Sequence, residues 1–232
     1  MAKDPAGTLD ALARIGYREV EFAGLHGVSA DAMRGMLDHL GLRSPAAHVG
    51  LDDLRQGADA AFRTSTILGN RYVVVPWIEP VQRRTIADYR GVARELNEFG
   101  RAARDAGLQL GYHNHDFELQ AIGTVVPYDV LLDETDPELV AMELDLFWLA
   151  KGGGTPAAYF ERHPGRFAMV HVKDMSPAGA MVDVGSGTLD FRTVFAAAER
   201  AGIRHAFAEH DSPGDPLASA RASYGALARL LS

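Results

Sequence analysis

The sequence predicts an α/β fold, a parallel barrel of the (β/α)8 type. Short apolar, β-branched or aromatic runs alternate with longer stretches of helical periodicity, and each cycle takes about 25–35 residues, the length of one βα unit. Polar side chains close several apolar runs, at the end of the strands where a parallel barrel carries its active site. The 232 residues suit one barrel, so we expect a single domain over residues 1–232.

Seven strands are expected, each from a short apolar run. They cover residues 19–23, 44–49, 72–77, 109–115, 140–147, 168–173 and 206–209. Eight helices are expected from apolar residues spaced three or four apart, and several of them end at a glycine. They cover residues 9–15, 30–40, 58–68, 86–106, 130–132, 156–162, 192–201 and 217–231.

The first predicted helix begins almost at Met1, so the strand that precedes it in an eightfold barrel is missing from the sequence. Two interpretations stay open. The beginning of the chain is truncated, or another chain supplies the strand, because an unpaired edge in a barrel favours association. The second interpretation predicts a homo-oligomer or an exchange of strands.

Composition narrows the classes of partner. The formal net charge of −8 and the pI near 5.6 argue against nucleic acid, which needs clustered Lys and Arg. No cysteine is present, so a metal would be bound by His, Asp or Glu. No apolar stretch is long enough to cross a membrane and the N-terminus is no secretory signal, which predicts a cytoplasmic protein as written. A truncated beginning would leave room for a lost export signal.

Four polar segments close predicted strands, at residues 112–118, 143–148, 170–174 and 208–211. Side chains two residues apart on a strand face the same way, so Glu143 lies beside Asp145 and His171 beside Lys173. His113 and His115 form a third such pair. If these sides face the barrel interior, a divalent cation would offset the cost of burying the carboxylates together. The alternative is that they are loop charges paired with arginines.

Five segments, in order, resemble the xylose-isomerase-like TIM barrel family, whose members are often called sugar phosphate isomerase/epimerase. The segments are Tyr112-His113-Asn114-His115-Asp116-Phe117-Glu118, Leu144-Asp145-Leu146-Phe147-Trp148, His171-Val172-Lys173-Asp174, Val184-Gly185-Ser186-Gly187 and Glu209-His210-Asp211. The resemblance implies a TIM barrel with a divalent metal of the Mn²⁺, Mg²⁺ or Co²⁺ type at its mouth. By motif, Asp145, His171 and Glu209 are the expected metal ligands.

The sequence departs from the best-known epimerases of the family at one ligand. Those enzymes carry a glutamate on the strand that here contains Gly111, and Gly111 is aligned with it. His113, His115 and Glu118 are the candidates to replace that glutamate, and we expect His115 as the fourth metal ligand.

The function implied is isomerisation or epimerisation of a sugar through an enediolate, formed when a base removes the proton next to a carbonyl group. Glu209 and either Glu118 or His113 are the expected acid–base pair. Lys173 would bind a carboxylate, a phosphate or the developing enolate. His48, Trp77 and Trp148 are expected to contact the substrate.

Three other functions stay open. The same metal site would serve a dehydratase or a lyase of 3-oxo-glycosides, and loss of the usual glutamate favours this alternative somewhat. A non-catalytic sugar-binding descendant would explain the missing strand. A DNA-repair nuclease of the same superfamily would need a basic groove, which the net charge of −8 opposes.

Gly185-Ser186-Gly187 has two interpretations. Its backbone amides could cradle a phosphate, but no Lys-Ser or Lys-Thr follows, so a tight turn is favoured.

Overall fold

The computed structural model describes residues 4–231, and in it seven parallel strands form one nearly closed barrel sheet. The strands are β1 (Glu19–Phe22), β2 (Arg43–His48), β3 (Tyr72–Val75), β4 (Gln109–His113), β5 (Val140–Asp145), β6 (Phe167–Val172) and β9 (His205–Ala208). Each pairs with the next in chain order, and β6 pairs directly with β9. The seven predicted strands and the parallel barrel are therefore confirmed.

Helices connect the strands. They are α1 (Pro5–Ile15), α2 (Ala30–Leu40), α3 (Leu51–Leu68), α4 (Ile86–Asp105), α5 (Pro127–Glu134), α6 (Leu146–Lys151), α7 (Pro156–Arg162), α8 (Phe191–Ala196), α9 (Ala198–Ala201) and α10 (Pro216–Leu231). Short 3-10 turns follow β3 at Pro80–Gln82 and β4 at Phe117–Leu119. Within residues 4–231 none of the helices combines the length and apolar character needed to cross a bilayer.

The central strands are covered on both faces, as a parallel sheet requires. Every residue of β3, β5 and β6 is buried. Leu96 of α4 belongs, with Leu110, Val140 and Val170 of the sheet, to one buried hydrophobic cluster. This continuous burial holds the carboxyl ends of the strands in fixed positions.

All seven predicted strands end later than the observed ones, four of them by one residue and three by two. β3 ends at Val75 rather than at residue 77, where Pro76 has no N–H to continue the ladder. β4 ends at His113 rather than at residue 115. β5 ends at Asp145 rather than at residue 147, because the Asp145 carboxylate accepts a hydrogen bond from the Trp148 amide at 2.8 Å and so caps α6.

The helix predicted over 58–68 begins earlier, at Leu51, and includes a kink at Gly57. The three residues predicted as helical at 130–132 are the middle of α5. A two-stranded antiparallel hairpin, β7 (Asp174–Met175) with β8 (Met181–Val182), was not expected from the sequence.

The two outer strands of the sheet, β1 and β9, face each other across a seam. Glu19 on β1 and His205 on β9 meet across it, with 2.8 Å between Oε2 and Nδ1. Above this pair the seam widens into a cavity of about 190 Å³ whose lining includes Glu21, His48, His171 and Glu209.

Candidate metal centre

The carboxyl ends of the strands bring titratable side chains together inside the barrel. Two sets are defined by their contacts. The outer group is Asp145, His171 and Glu209, and the inner group is Glu21, His48 and Glu143. Glu143 precedes Asp145 by two residues on β5, so the inner group lies one layer further from the mouth.

In the outer group, one ligand atom from each residue lies within 4.8 Å of the other two. His171 Nδ1 is 2.6 Å from Glu209 Oε2. Lys173 lies beside them, with its Nζ atom 3.1 Å from Asp145 Oδ2, 2.8 Å from Glu209 Oε2 and 2.8 Å from Asp211 Oδ1. The structure thus brings together the three predicted ligands and the predicted lysine.

In the inner group, His48 Nε2 is 3.1 Å from Glu21 Oε2 and 2.9 Å from Glu143 Oε2. His171 extends into this group through its other ring nitrogen, which is 2.7 Å from Glu21 Oε2 and 3.2 Å from Glu143 Oε2. His171 therefore presents one nitrogen to each group.

Opposite charges offset burial in the inner group. Burial alone would raise the pKa of Glu21, but His48 and His171 lower it to about 2. Glu143 is also buried, and His171 and His113 lower its pKa to about 2. Burial opposes protonation of His48, yet Glu21 and Glu143 raise its pKa to about 9. The positive charges of the histidines thus offset the negative charges of the buried carboxylates.

Asp145 differs from these carboxylates. It is completely buried, and burial raises its pKa to about 6 even though Lys173 and His171 act in the opposite direction. Its Oδ2 atom has no hydrogen-bond partner of good geometry among residues 4–231, although Lys173 lies 3.1 Å away. A cation bound closer than the Lys173 ammonium would therefore stabilise the ionised Asp145 carboxylate.

His113 lies between the two groups. Its Nδ1 atom is 3.2 Å from Glu143 Oε2 and its Nε2 atom is 3.8 Å from Asp145 Oδ2. Burial and the charge of His171 lower the pKa of His113 well below its usual value, so the ring is neutral, with one nitrogen a hydrogen-bond donor and the other an acceptor.

The structure places Gly111 away from the mouth. A side chain there would press against Val74 and Met169 in the apolar interior layer. His113, two residues later on the same strand face, is the residue of β4 that reaches the carboxylates. The alignment of Gly111 with the ligand position of the relatives is therefore not supported by its place in the fold.

His115 belongs to an aromatic wall beyond β4 rather than to either group. It lies 5.0 Å from Trp77, 5.6 Å from Phe117 and 5.3 Å from Trp148, measured between ring centroids. Burial lowers its pKa to about 4, and its Nδ1 atom has no partner among the described residues. The structure does not bring His115 to the predicted ligands, because β4 ends before it.

Glu118 is fully buried below this wall. Its Oε1 atom accepts a hydrogen bond from the Tyr112 hydroxyl, and its Oε2 atom accepts one from the His115 amide at 2.8 Å. Burial raises its pKa to about 7. With both oxygens occupied, Glu118 fixes the turn after β4 and does not reach the mouth, in contrast to the expected acid–base role.

The turn at Gly185-Ser186-Gly187 is a structural one. The Asp174 carboxylate accepts hydrogen bonds from the amides of Gly185 and Gly187, both at 2.9 Å, and from those of Met175 and Leu189. A side chain at Gly187 would collide with Asp174. The amides that could have cradled a phosphate are therefore occupied, and the turn interpretation is the one that the structure supports.

Sequence reasoning missed Glu21 as a site residue and left Glu143 without a role. The signal for Glu21 was present, because Glu19 and Glu21 alternate at a strand whose end faces the mouth. Only closure of the barrel brings the Glu21 side chain of β1 to His171 of β6 in the interior.

The donor set suits a divalent cation. Buried oxygens without hydrogen-bond partners among residues 4–231 occur on Glu21, Glu143 and Asp145, as Oε1, Oε1 and Oδ2. Nitrogen and oxygen donors of this kind bind Mn²⁺, Co²⁺ or Zn²⁺. The residues present therefore fit a metal ion.

Comparison with known proteins gives one family model, described as xylose isomerase-like TIM barrel, which matches residues 9–230. Curated relatives include an inosose dehydratase from Clostridium botulinum (strain Alaska E43 / Type E3), which is 29% identical over 122 residues, 45% of this chain. The chain spans 40% of that relative's length.

Solved structures share the fold. The sugar phosphate isomerase/epimerase from Parabacteroides distasonis has a TM-score of 0.85 and 23% identity, covering 97% of this chain and 91% of its own. The IOLI protein, whose structure contains a zinc atom, has a TM-score of 0.79 and 16% identity, covering 97% and 92%.

Proposed function

The chain belongs to the xylose isomerase-like TIM barrel family, and from this premise we propose that it is a divalent-metal-dependent enzyme that removes the proton next to a carbonyl group of a sugar. The reaction proposed first is isomerisation or epimerisation through an enediolate. The observation that carries the proposal is the meeting of Asp145, His171 and Glu209 beside Lys173.

Asp145, His171 and Glu209 would hold a cation of the Mn²⁺, Mg²⁺ or Co²⁺ type. When bound, such an ion supplies a Lewis acid that makes a proton next to a carbonyl group easier to remove. The buried Asp145 Oδ2 atom, which lacks a hydrogen bond of good geometry among residues 4–231, supports this assignment. His115 lies in the aromatic wall and is not proposed as the fourth ligand.

Lys173 is positioned to stabilise the charge that develops on a substrate oxygen. Its pKa is raised because Asp145 and Glu209 more than offset burial, so the ammonium group is charged at neutral pH. A fixed positive charge in a buried site stabilises an oxyanion strongly, because water does not screen it.

Glu209 and His113 are the proposed acid–base pair. The Glu209 side chain is 42% exposed and its carboxylate borders the mouth, where it can accept a substrate proton. The neutral ring of His113 serves as its counterpart across the outer group. Return of the proton to the adjacent carbon gives isomerisation, and return to the opposite face of the same carbon gives epimerisation.

The aromatic wall supports a sugar as substrate. Trp77 is 37% exposed, and Trp148 lies within 6.0 Å of the Lys173 ammonium. Aromatic faces next to polar groups bind the apolar face of a sugar ring while its hydroxyl groups reach the polar side. His48 is left out of the substrate contacts, because its Nε2 atom is directed to Glu21 and Glu143.

Proton NMR in D₂O tests the proposal. The metal-loaded protein is incubated with a panel of ketoses and 3-oxo-glycosides, and the Asp145→Asn variant serves as the control. We expect solvent deuterium to enter an intact sugar with the wild-type protein alone. Tight binding of a sugar with no exchange and no product across the panel would contradict the proposal and favour a binding protein.

Dehydration is the second candidate, and the match to curated inosose dehydratases favours it. As in isomerisation, the proton next to the carbonyl group is removed. A hydroxide then leaves from the adjacent carbon, β to the carbonyl group, so that water is lost overall. In the NMR experiment this reaction yields an unsaturated product in place of a deuterated sugar. An inosose in the substrate panel tests it directly.

A further inference from the structure

Three carboxylates surround the Lys173 ammonium group, and only two of them belong to the outer group. Its Nζ atom is 3.1 Å from Asp145 Oδ2, 2.8 Å from Glu209 Oε2 and 2.8 Å from Asp211 Oδ1. The proposed function, on which the present inference rests, assigns Asp145 and Glu209 to a divalent cation. Asp211 is then the one ion-pair partner of Lys173 within residues 4–231 that the cation does not take.

The segment that follows β9 brings Asp211 to this place. The Glu209 amide donates a hydrogen bond to the Val172 carbonyl at 3.3 Å, so the segment continues beside the end of β6. Asp211 comes two residues after Glu209, a spacing that directs both side chains to one side of an extended chain. The Asp211 amide also lies 3.2 Å from Met181 Sδ, which holds the segment against the β7–β8 hairpin.

The ammonium group of Lys173 opposes the binding of a cation beside it. The residue is 2% exposed, so water screens its charge only weakly. With two carboxylates alone, Lys173 would either keep Asp145 and Glu209 as its counterions and compete with the cation, or stay buried without a counterion. Both outcomes are unfavourable, because a buried charge needs a partner of opposite sign.

We propose that Asp211 is a positioning residue, which holds the Lys173 ammonium group when Asp145 and Glu209 bind the cation. Asp211 acts through the lysine rather than on the cation or the substrate. Because of it, the ammonium group keeps a counterion and stays beside the site without occupying the oxygens that the cation needs. Removal of the Asp211 charge is therefore expected to weaken metal binding only while the lysine is present.

A double-mutant cycle on metal affinity tests the proposal. Metal-free wild type, Asp211→Asn, Lys173→Met and the double variant are titrated with Co²⁺ by isothermal titration calorimetry. In the wild-type background we expect Asp211→Asn to raise the Kd on the order of tenfold, because the ammonium group then competes for Asp145 and Glu209. In the Lys173→Met background the same substitution should change the Kd by no more than about threefold, the residual effect of an exposed charge.

Two results would overturn the proposal. An unchanged Kd in Asp211→Asn would show that Lys173 needs no third carboxylate. An equal increase with and without the lysine would show that Asp211 attracts the cation directly. Should Lys173→Met fold poorly by circular dichroism, Lys173→Gln takes its place and the cycle has the same two outcomes.

Asp215→Asn is the matched control, with the same change in an exposed residue of the same loop. The Asp215 carboxylate accepts hydrogen bonds from the Leu217 and Ala218 amides, at 3.0 and 3.1 Å, and we expect its Kd to stay within about twofold of the wild type. Failure of the proposed function has a different signature. A wild-type chain that binds no Co²⁺, or an Asp145→Asn variant that binds it equally well, removes the metal site itself and the role of Asp211 with it.

Discussion

Lys173 is a buried lysine whose positive charge is central to the proposed reaction. The residue is 2% exposed, and its ammonium group lies within 3.1 Å of the carboxylates of Asp145, Glu209 and Asp211. We predict that Lys173→Met lowers kcat by on the order of 10²–10³, the usual cost of removing one group that stabilises an oxyanion. Steady-state kinetics on the substrate found by NMR measure it.

Lys151→Met is the control for that substitution. Lys151 is exposed and its ammonium also lies near Trp148, at 4.8 Å from the ring centroid. It does not contact the outer group, so its removal is expected to leave kcat within about twofold, as for surface changes far from the reacting atoms. A Lys173 variant no slower than the Lys151 variant would contradict the assigned role.

Glu118 gives a prediction about pH and stability. Burial raises its pKa from 4.5 to about 7 in the folded protein. Between these values the folded chain holds a proton that the unfolded chain has lost, so the free energy of unfolding falls as the pH rises. For this group the fall is on the order of 3 kcal/mol.

The Glu118→Gln variant removes that titration, and we expect its stability to change less between pH 5 and pH 8 than that of the wild type. Urea unfolding at both pH values measures the difference. Glu138→Gln, at an exposed glutamate, is the control and is expected to follow the wild type. Identical pH dependence of the wild type and the Glu118 variant would show that Glu118 is not buried as described.

The sequence predicted some site residues better than others, for a physical reason. Asp145 and His171 lie within or at the end of regular strands, where alternation gives their direction. His115 and Glu118 follow the end of β4, where alternation no longer applies, and the turn directs them to the aromatic wall and the core. The position of Glu21 in the site depends on closure of the barrel, which no local sequence pattern predicts.

At the scale of elements, Asp174 organises the segment between β6 and α8. It accepts hydrogen bonds from backbone amides of four residues, including Gly185 and Gly187. We predict that Asp174→Ala lowers the free energy of unfolding by on the order of 1–3 kcal/mol, because buried amides lose their acceptor. Hydrogen exchange should show lost protection at Gly185 and Gly187.

Asp190→Ala is the matched comparison. Asp190 is an exposed N-cap that accepts a hydrogen bond from the Thr193 amide at 3.1 Å. Its loss is expected to cost about 1 kcal/mol and to leave exchange at the glycine turn unchanged. If both variants expose the turn equally, Asp174 does not hold it.

Element types were predictable because apolar periodicity reports burial, and the seven strands followed from it. The ends of the elements were harder to predict from the sequence. The end of β5 depends on the Asp145 side chain capping α6, and the β7–β8 hairpin depends on pairing of two residues on each side. Both features are set by individual hydrogen bonds rather than by periodicity.

At the scale of the whole molecule, the outer group joins β5, β6 and the end of β9. A metal that binds only the folded chain therefore stabilises the barrel. At a concentration 100 times its Kd it contributes about 2.7 kcal/mol, which corresponds to a Tm increase of roughly 5–10 °C for a chain of this size. Calorimetry with and without a chelator measures it.

Asp145→Asn is expected to lose that part of the Tm increase that comes from the outer group. An equal metal-dependent increase in the variant would place the ion elsewhere. The prediction that residues 1–232 act as one domain is tested in the same samples by limited proteolysis, which should give no stable fragment before global unfolding.

The central claim is that one metal ion joins Asp145, His171 and Glu209, and a diffraction map recorded at the metal's absorption edge tests it most directly. Crystals grown with Mn²⁺ or Zn²⁺ should show an anomalous peak about 2–2.6 Å from a donor atom of each of these residues. Three side chains directed away from one another, or paired with arginines and without a peak between them, would contradict the account.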